Sequence, residues 1–131
     1  MNDSVSLVQE LGRRFLAGDR QGAMALLHPE LRIEQPASLP HGGWHHGHEG
    51  MAQMGALFSQ HWTRTIVEPR VAQWADFVVQ VTSQTWTANE TGRSATVEVV
   101  ELISLAGGRI SEIRVFPQDT HILLQTLDDR A

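Results

Sequence analysis

The spacing of hydrophobic residues predicts two helices at the start of the chain. Between residues 4 and 17, apolar side chains recur every three or four positions, which is typical of an amphipathic helix. Gly18 then predicts the end of that helix, and Asp19 predicts the N-cap of a short second helix. The second helix continues through Leu26 and Leu27, and we expect Pro29 to end it.

A strand, a loop and a third helix are predicted next. Leu31, Ile33 and Gln35 alternate with polar residues, as in a strand. Glycine and proline residues between positions 36 and 47 indicate a loop. From about His48, the apolar residues return to helical spacing and form one stripe, made of Met51, Met54, Leu57, Phe58, His61 and Trp62.

From Thr65 onward, the pattern changes to a period of two, which is typical of strands. Four strands are predicted near residues 66–74, 76–88, 94–105 and 109–117, and a short helix through Ile122 and Leu127 follows them. This order predicts an α+β fold, in which a long, mostly antiparallel sheet curls around three N-terminal helices. We expect residues 1–131 to form a single domain with an internal pocket between sheet and helices.

The composition excludes several kinds of chemistry. The chain has no Cys, no Lys and no Tyr, so it has no thiolate nucleophile, no lysine Schiff base and no phenol donor. The net charge of −5 and the lack of a basic cluster argue against nucleic acid or an anionic membrane as a partner. With no apolar run of about 18 residues and no pattern of a signal peptide, a cytoplasmic location is expected.

Four segments resemble SnoaL-like members of the nuclear transport factor 2-like superfamily, which has a cystatin-like cone fold and includes ketosteroid isomerases. They are, in order, FLAGDRQGAMALLHPEL, IEQP, GGWHHGHEGM and GGRISEIRVFPQDT. The resemblance implies a deep apolar pocket and a homodimer formed through the outer face of the sheet. It implies no single reaction, because this fold hosts isomerases, cyclases, dehydratases, hydrolases and binding modules.

The segment IEQP places Gln35 where the resemblance implies the general base of a ketosteroid isomerase. A carboxamide does not accept a proton at neutral pH, and the Tyr of that family is also absent. Isomerisation by that mechanism is therefore not expected.

Glu101 matches the remaining acidic position of that family. It is the sole charge on a strand face that also carries Val97, Val99 and Ile103. If this face lines the pocket, burial raises the pKa of the carboxyl and suits it to acid–base work. The alternative is that the face meets solvent or a dimer partner and Glu101 pairs with an Arg.

Asp119 is the second candidate acid. It shares a strand face with Ile113, Val115 and Pro117, so it would end the row of side chains that point inward. The stretch FPQDTHILLQTL resembles the SnoaL-type cyclase motif, in which the Asp carries the acid–base function. The alternative is that Asp119 caps the short C-terminal helix.

The chain has seven His, and three of them lie in the segment HHGH. His46 and His48 have the spacing of metal ligands on a strand, but the start of a helix breaks that geometry. We therefore predict no metal site and expect a turn into the third helix, with Glu49 in its first turn. His41 and His45 remain as candidate ligand contacts at the mouth of the pocket.

His61 has two interpretations. It lies beside the helical stripe and either reaches the cavity or is structural. Paired with Asp19, it would form the His–Asp dyad of dehydratase- and dehalogenase-like relatives, although Asp19 is also predicted as an N-cap.

The four Trp residues suit a flat, polycyclic, oxygenated ligand, because an indole combines a large apolar face with one donor. The alternative is that they fill the core and a dimer interface, and not all four can line one pocket. The remaining residues predicted to line the pocket are Trp44, Phe58, Trp62, Val99 and Val115. Trp86 has the parity of Gln80, Thr82 and Gln84, so it is expected to face outward.

The sequence thus predicts a homodimeric cone-fold protein that binds a small hydrophobic molecule of the polyketide, steroid or terpenoid kind. The expected reaction needs no cofactor: proton abstraction next to a carbonyl, followed by ring closure, isomerisation or elimination. Asp119 would be the acid/base, protonated Glu101 would donate to the developing enolate, and Gln35 would assist. The alternative is a binding or dimerisation module without turnover.

Overall fold

The computed structural model describes residues 3–128, which form four helices and six strands. The helices are α1 (Asp3–Leu16), α2 (Arg20–Ala25), α3 (Gly47–His61) and α4 (Thr120–Gln125). The strands are β1 (Leu27–Gln35), β2 (Gly43–His46), β3 (Trp62–Trp74), β4 (Phe77–Ala88), β5 (Ser94–Ala106) and β6 (Arg109–Pro117). No helix in this part of the chain is long and apolar enough to cross a bilayer.

All six strands form one curved sheet with the order β2-β1-β6-β5-β4-β3, which does not close. Neighbouring strands are antiparallel, except that β1 runs parallel to β6. The predicted α+β class is confirmed, including the antiparallel meander from β3 to β6. The meander was predictable because side chains alternate over most of the long strands β4 and β5.

Two local predictions were wrong. Residues 36–47 are not entirely loop, because β2 lies within them and pairs with the end of β1. Its sequence, GWHH, is too short to show an alternation. In addition, α2 ends at Ala25, and Pro29 lies inside β1, where the pairing with β6 shifts register between Leu27 and Arg32. An irregular point of a strand tolerates a residue without an N–H.

The buried side chains form two clusters. The first is aliphatic and lies under α1 and α2, with Leu27, Leu31 and Ile110 almost fully buried. The second cluster is built around Trp62 and Trp86 and includes Leu123 of α4. Trp62 and Trp86 of the second cluster also border the cavity described below.

Trp86 faces inward, contrary to the prediction, and is 3% exposed. Its indole Nε1–H donates to Gln84 Oε1 at 2.9 Å, and Gln84 Nε2 donates to Thr82 Oγ1 at 2.9 Å. These bonds satisfy polar groups that would otherwise be costly to bury. The face of β4 that carries Thr82, Gln84 and Trp86 therefore points inward although it is largely polar. The prediction, which placed the more hydrophobic face inward, reversed the two faces of this strand.

One buried hydrogen-bond chain ties α4 to the sheet. Trp62 Nε1–H donates to Thr126 Oγ1 at 2.8 Å, and Thr126 Oγ1 donates to the carbonyl oxygen of Leu123 at 2.6 Å. Both Trp62 and Thr126 are almost fully buried. These two hydrogen bonds fix the indole of Trp62, which also lines the cavity described below.

We expect Thr126→Val to lower the free energy of unfolding by about 1–3 kcal/mol, because the buried indole N–H loses its acceptor. Chemical denaturation measures the change. The matched control is Thr96→Val, which removes an exposed hydroxyl bonded to Thr85 and should cost about 0.5 kcal/mol or less. Equal effects of the two substitutions would contradict this assignment.

Candidate functional site

A cavity of about 400 Å³ lies between α3 and the inner face of the sheet. Its apolar wall is formed by Met54, Phe58, Trp62, Trp86, Val99 and Val115. Its main polar groups come from five side chains: Gln35, His41, Arg64, Gln84 and Glu101. The structure thus brings seven of the residues proposed from sequence to one cavity, namely Gln35, His41, Phe58, Trp62, Val99, Glu101 and Val115.

Four rings pack against one another at one side of this cavity. The His41 ring centroid lies 5.3 Å from that of Phe58, 6.1 Å from Trp62 and 5.8 Å from Trp86. Phe58 meets Trp86 edge to face at 4.9 Å. Such contacts fix the rings and present both faces and edges to a planar ligand.

The loop between β1 and β2 places His41 inside the molecule. The N–H of Leu39 donates to the Pro36 carbonyl oxygen, and the N–H of Gly42 donates to the Leu39 carbonyl oxygen, so two turns follow each other. A Cβ at Gly42 would lie 2.3 Å from the Pro36 oxygen, so no other residue fits there without moving the backbone. Leu39 and His41 are buried as a result.

His41 is a neutral imidazole held in an apolar setting. Burial, helped by the charges of Arg64, His45 and His61, lowers the pKa of His41 to about 4. Its Nδ1 atom is buried and has no hydrogen-bond partner within the described chain. An unsatisfied buried polar atom costs about 1–3 kcal/mol. A ligand that hydrogen-bonds to Nδ1 would recover part of that cost.

Glu101 projects inward from β5, directly opposite Gln80 of β4. Gln80 Nε2 donates to Glu101 Oε1 at 2.7 Å. Burial raises the pKa of Glu101, while the hydrogen bond from Gln80 and the charge of Arg64 act in the opposite direction. Part of the side chain remains accessible, and the residue lines the cavity. A raised pKa in such a position is typical of groups that act in acid–base chemistry.

Arg64 was missed by the sequence analysis. It lies on β3 opposite Trp86, and its guanidinium carbon is 4.9 Å from the centroid of the Phe58 ring. Arg64 is exposed as a whole residue. Desolvation of its guanidinium beside the cavity lowers its pKa, and a guanidinium keeps its charge at neutral pH. The strand was predicted to begin near Ile66. Had Trp62 been assigned to it, parity would have put Arg64 on the inner face.

Asp119 does not line the cavity, contrary to the expected position at its edge. Its Oδ1 accepts a hydrogen bond from the N–H of Ile122 at 3.2 Å, so it is the N-cap of α4. The capping interpretation, left open by the sequence, describes this geometry. Asp19 likewise caps α2 through Gly22 and is not among the residues that line the cavity.

Three further residues proposed as ligand contacts also lie outside the lining. Trp44 is 40% exposed, and the guanidinium of Arg32 lies 4.5 Å from its ring centroid. His45 Nε2–H donates to the carbonyl oxygen of His41 at 2.8 Å, so it holds the loop. His61 ends α3, with its ring 5.7 Å from that of Trp62.

The HHGH segment mainly forms the turn into α3. His46 is the N-cap residue, Glu49 lies in the first turn, and His48 Nε2–H donates to the Leu27 carbonyl oxygen at 3.0 Å. Across residues 3–128, no group of three or more His, Asp or Glu side chains is arranged to hold a metal ion.

Comparison with known proteins places the chain in a structural family. The SnoaL-like domain family matches residues 8–113. No match is found among curated proteins.

Solved structures show the same fold. An NTF2-like protein from Burkholderia xenovorans superposes with a TM-score of 0.85 at 22% identity, over 96% of both chains. TerC, co-crystallised with polyporic acid, gives 0.84 at 19% identity, over 96% of this chain and 98% of its own. A polyketide cyclase candidate from Pseudomonas putida gives 0.78 at 14% identity, over 98% and 99%. At these identities the similarity establishes the fold alone.

The lowered pKa of His41 predicts a loss of stability in acid. Unfolded chains bind a proton at this His as the pH falls below about 6.5, whereas the folded protein resists protonation until about pH 4. The free energy of unfolding should therefore fall by ~3 kcal/mol across that window.

Denaturation curves at several pH values test this, with His41→Gln expected to flatten the dependence. The exposed His121 offers the control His121→Gln, which should keep the wild-type slope. Glu101 has a raised pKa and contributes stability that is lost as the pH rises, so the difference between wild type and His41→Gln isolates His41. Identical slopes for wild type and His41→Gln would refute the assignment.

Proposed function

The chain belongs to the SnoaL-like domain family, and we propose that it is a cofactor-free acid–base enzyme of the cyclase, isomerase or lyase type. Its substrate is a small hydrophobic molecule of the polyketide, steroid or terpenoid kind. The observation that carries this proposal is the carboxyl of Glu101, whose pKa is raised by burial inside a cavity with aromatic walls.

The size and lining of the cavity support a small planar ligand. Its volume of about 400 Å³ falls within the range of about 300–1,000 Å³ that is usual for ligand pockets. The rings of Phe58, Trp62 and Trp86 offer stacking and edge contacts, and a few polar groups can fix orientation. The polyporic acid complex of TerC and the polyketide cyclase candidate favour the same ligand class.

The proposed reaction begins with proton transfer at a carbon next to a carbonyl. Glu101, as the carboxylate, takes the proton, and the C–H electron pair becomes the enolate. The protonated carboxyl then returns the proton to another carbon, or to an oxygen that is formed or expelled when the ring closes or a group leaves. A raised pKa brings the carboxyl closer to neutral pH, where both steps are accessible.

Gln35 and His41 are the groups that would hold the carbonyl oxygen. The amide of Gln35 makes only a 3.4 Å contact with Met54 Sδ, and a thioether is a weak acceptor. It can therefore turn to a substrate oxygen at little cost. Asp119, bound to the N-terminus of α4, takes no part in this scheme.

A binding module without turnover is the second candidate. It is favoured by Gln35, an amide at the position where the related isomerases carry their base. Such a module would bind its ligand in the cavity without converting it. Glu101→Gln could then change the affinity for the ligand but would abolish no reaction.

We also propose a homodimer formed through the outer face of the sheet. Val79 and Val81 of β4 pair with Leu102 and Val100 of β5, on the face opposite the cavity. Phe116 of β6, paired with Val100, is 42% exposed. These adjoining apolar residues form a surface that a second copy would cover.

Val81→Glu should weaken this dimer on the order of 100-fold, because it buries a charge in the contact. Sedimentation velocity over a range of concentrations measures the change. Gln53→Glu adds the same charge on the exposed part of α3 and should leave assembly unaltered. A wild-type protein that sediments as a monomer at all concentrations would end the dimer proposal.

For the proton-transfer role, we expect the affinity for the phenol 2-naphthol to fall as the pH rises through the raised pKa of Glu101. The neutral carboxyl donates to the phenol oxygen, whereas the carboxylate cannot. The loss should be about tenfold or more. Quenching of tryptophan fluorescence measures binding, because two indoles line the cavity.

Glu101→Gln should flatten this profile. The matched control is Glu98→Gln, on the same strand but paired with Arg70 at 2.5 Å outside the cavity, and it should retain the wild-type profile. A pH-independent affinity in the wild type would contradict the role of Glu101.

A further inference from the structure

Arg64 is the one arginine of the described chain that lines the cavity. On the same strand, Arg70 forms an ion pair with Glu98, and on β6, Arg114 pairs with Glu34 at 2.8 Å. The side chain of Arg64 has no ion pair and no hydrogen bond within residues 3–128. Its guanidinium instead lies over the face of Phe58 and lines the cavity.

No acidic side chain is bonded directly to Arg64 in the cavity. Three titratable side chains line the cavity, namely His41, Arg64 and Glu101. Glu101, the acidic one, is hydrogen-bonded to Gln80 and forms no ion pair with Arg64 within the described residues. The guanidinium therefore lines the cavity without a directly bonded counter-ion, although the chain as a whole has a net charge of −5. Such a cation favours an anionic ligand.

The chemistry of the guanidinium selects among anions. Its planar fork of N–H donors matches a carboxylate in a bidentate arrangement. Contact with Phe58 restricts the side chain before binding, which reduces the entropy lost when those hydrogen bonds form. The ring of Phe58 is also part of the aromatic wall, because its centroid lies 4.9 Å from that of the Trp86 ring. A flat molecule against this wall would have its acidic group within reach of Arg64.

We propose that the ligand of this cavity is an aromatic carboxylic acid, bound as the carboxylate by Arg64 while its ring system packs against Phe58 and Trp86. Arg64 is thus the residue that determines specificity for charge. This inference rests on the proposed function, because it presumes that the cavity takes a small aromatic ligand, and it narrows the class of that ligand.

The test compares two probes that share one ring system, 2-naphthoate and its neutral amide 2-naphthamide. Calorimetry and tryptophan quenching at pH 7 give both dissociation constants. We expect the wild type to bind 2-naphthoate about tenfold more tightly than the amide. Arg64→Gln should weaken 2-naphthoate by about tenfold and leave 2-naphthamide within about twofold. Arg64→Lys, which keeps the charge without the fork, should lie between them.

The matched control is Arg70→Gln, which removes the same charge from the same strand outside the cavity. It should leave both affinities unchanged, so it separates local binding from long-range attraction. Thermal denaturation confirms that each variant is folded. If Arg64→Gln does not fold, the comparison between the two probes is made with Arg64→Lys and wild type.

The outcomes separate this inference from the proposed function. Equal affinity of the wild type for the two probes, or an equal loss of both in Arg64→Gln, overturns the inference about Arg64 and leaves the ligand-binding cavity in place. Loss of 2-naphthoate affinity in Arg70→Gln as large as that in Arg64→Gln also overturns it. Failure of both probes to bind the wild type contradicts the cavity's role in binding and therefore both proposals.

Discussion

The requirement that buried polar groups find partners determines what this cavity can do. On the inner face of β4 and β5, Gln84 satisfies Trp86 and Gln80 satisfies one oxygen of Glu101. The carboxyl group of Glu101 accepts its hydrogen bond from the neutral amide of Gln80 and not from an arginine. Burial can therefore raise the pKa of Glu101. An ion pair at the same place would have kept the carboxyl ionised and made it a structural group. The chemistry proposed for this chain depends on that difference.

The cavity stays open because its walls are fixed from several sides. Trp62 is held by Thr126, the loop that carries His41 is closed by two turns around Gly42, and the rings meet edge to face. Dense packing on all sides normally eliminates voids in a protein interior. Here the rings cannot rotate into the free space without breaking these contacts. A preformed hollow follows, which lowers the entropy lost when a ligand binds.

The parts of this structure that were predictable are those where local pattern and tertiary environment agree. The long alternating strands gave the meander, and the apolar neighbours of Glu101 gave its inward direction. Prediction failed where a side chain lies in an environment that its neighbours in the sequence do not indicate. Trp86 belongs to a polar inner row, which reverses the usual meaning of hydropathy. Arg64 is exposed as a residue, but the register with β4 places it opposite Trp86, so that it lines the cavity.

The two proposals concern groups that act on each other. The charge of Arg64 lowers the pKa of Glu101, and the negative charge of Glu101 raises that of Arg64. An anion bound to the guanidinium would cancel part of the positive charge that Glu101 experiences, so it would raise the pKa of the carboxyl further. Thermodynamic linkage makes this effect reciprocal, and protonation of Glu101 must strengthen anion binding by the same free energy. A carboxylate ligand would thereby help to set the protonation state of the group that acts on it. Ligand binding and proton transfer would then be one coupled equilibrium between Arg64 on β3 and Glu101 on β5, two strands that lie on either side of β4.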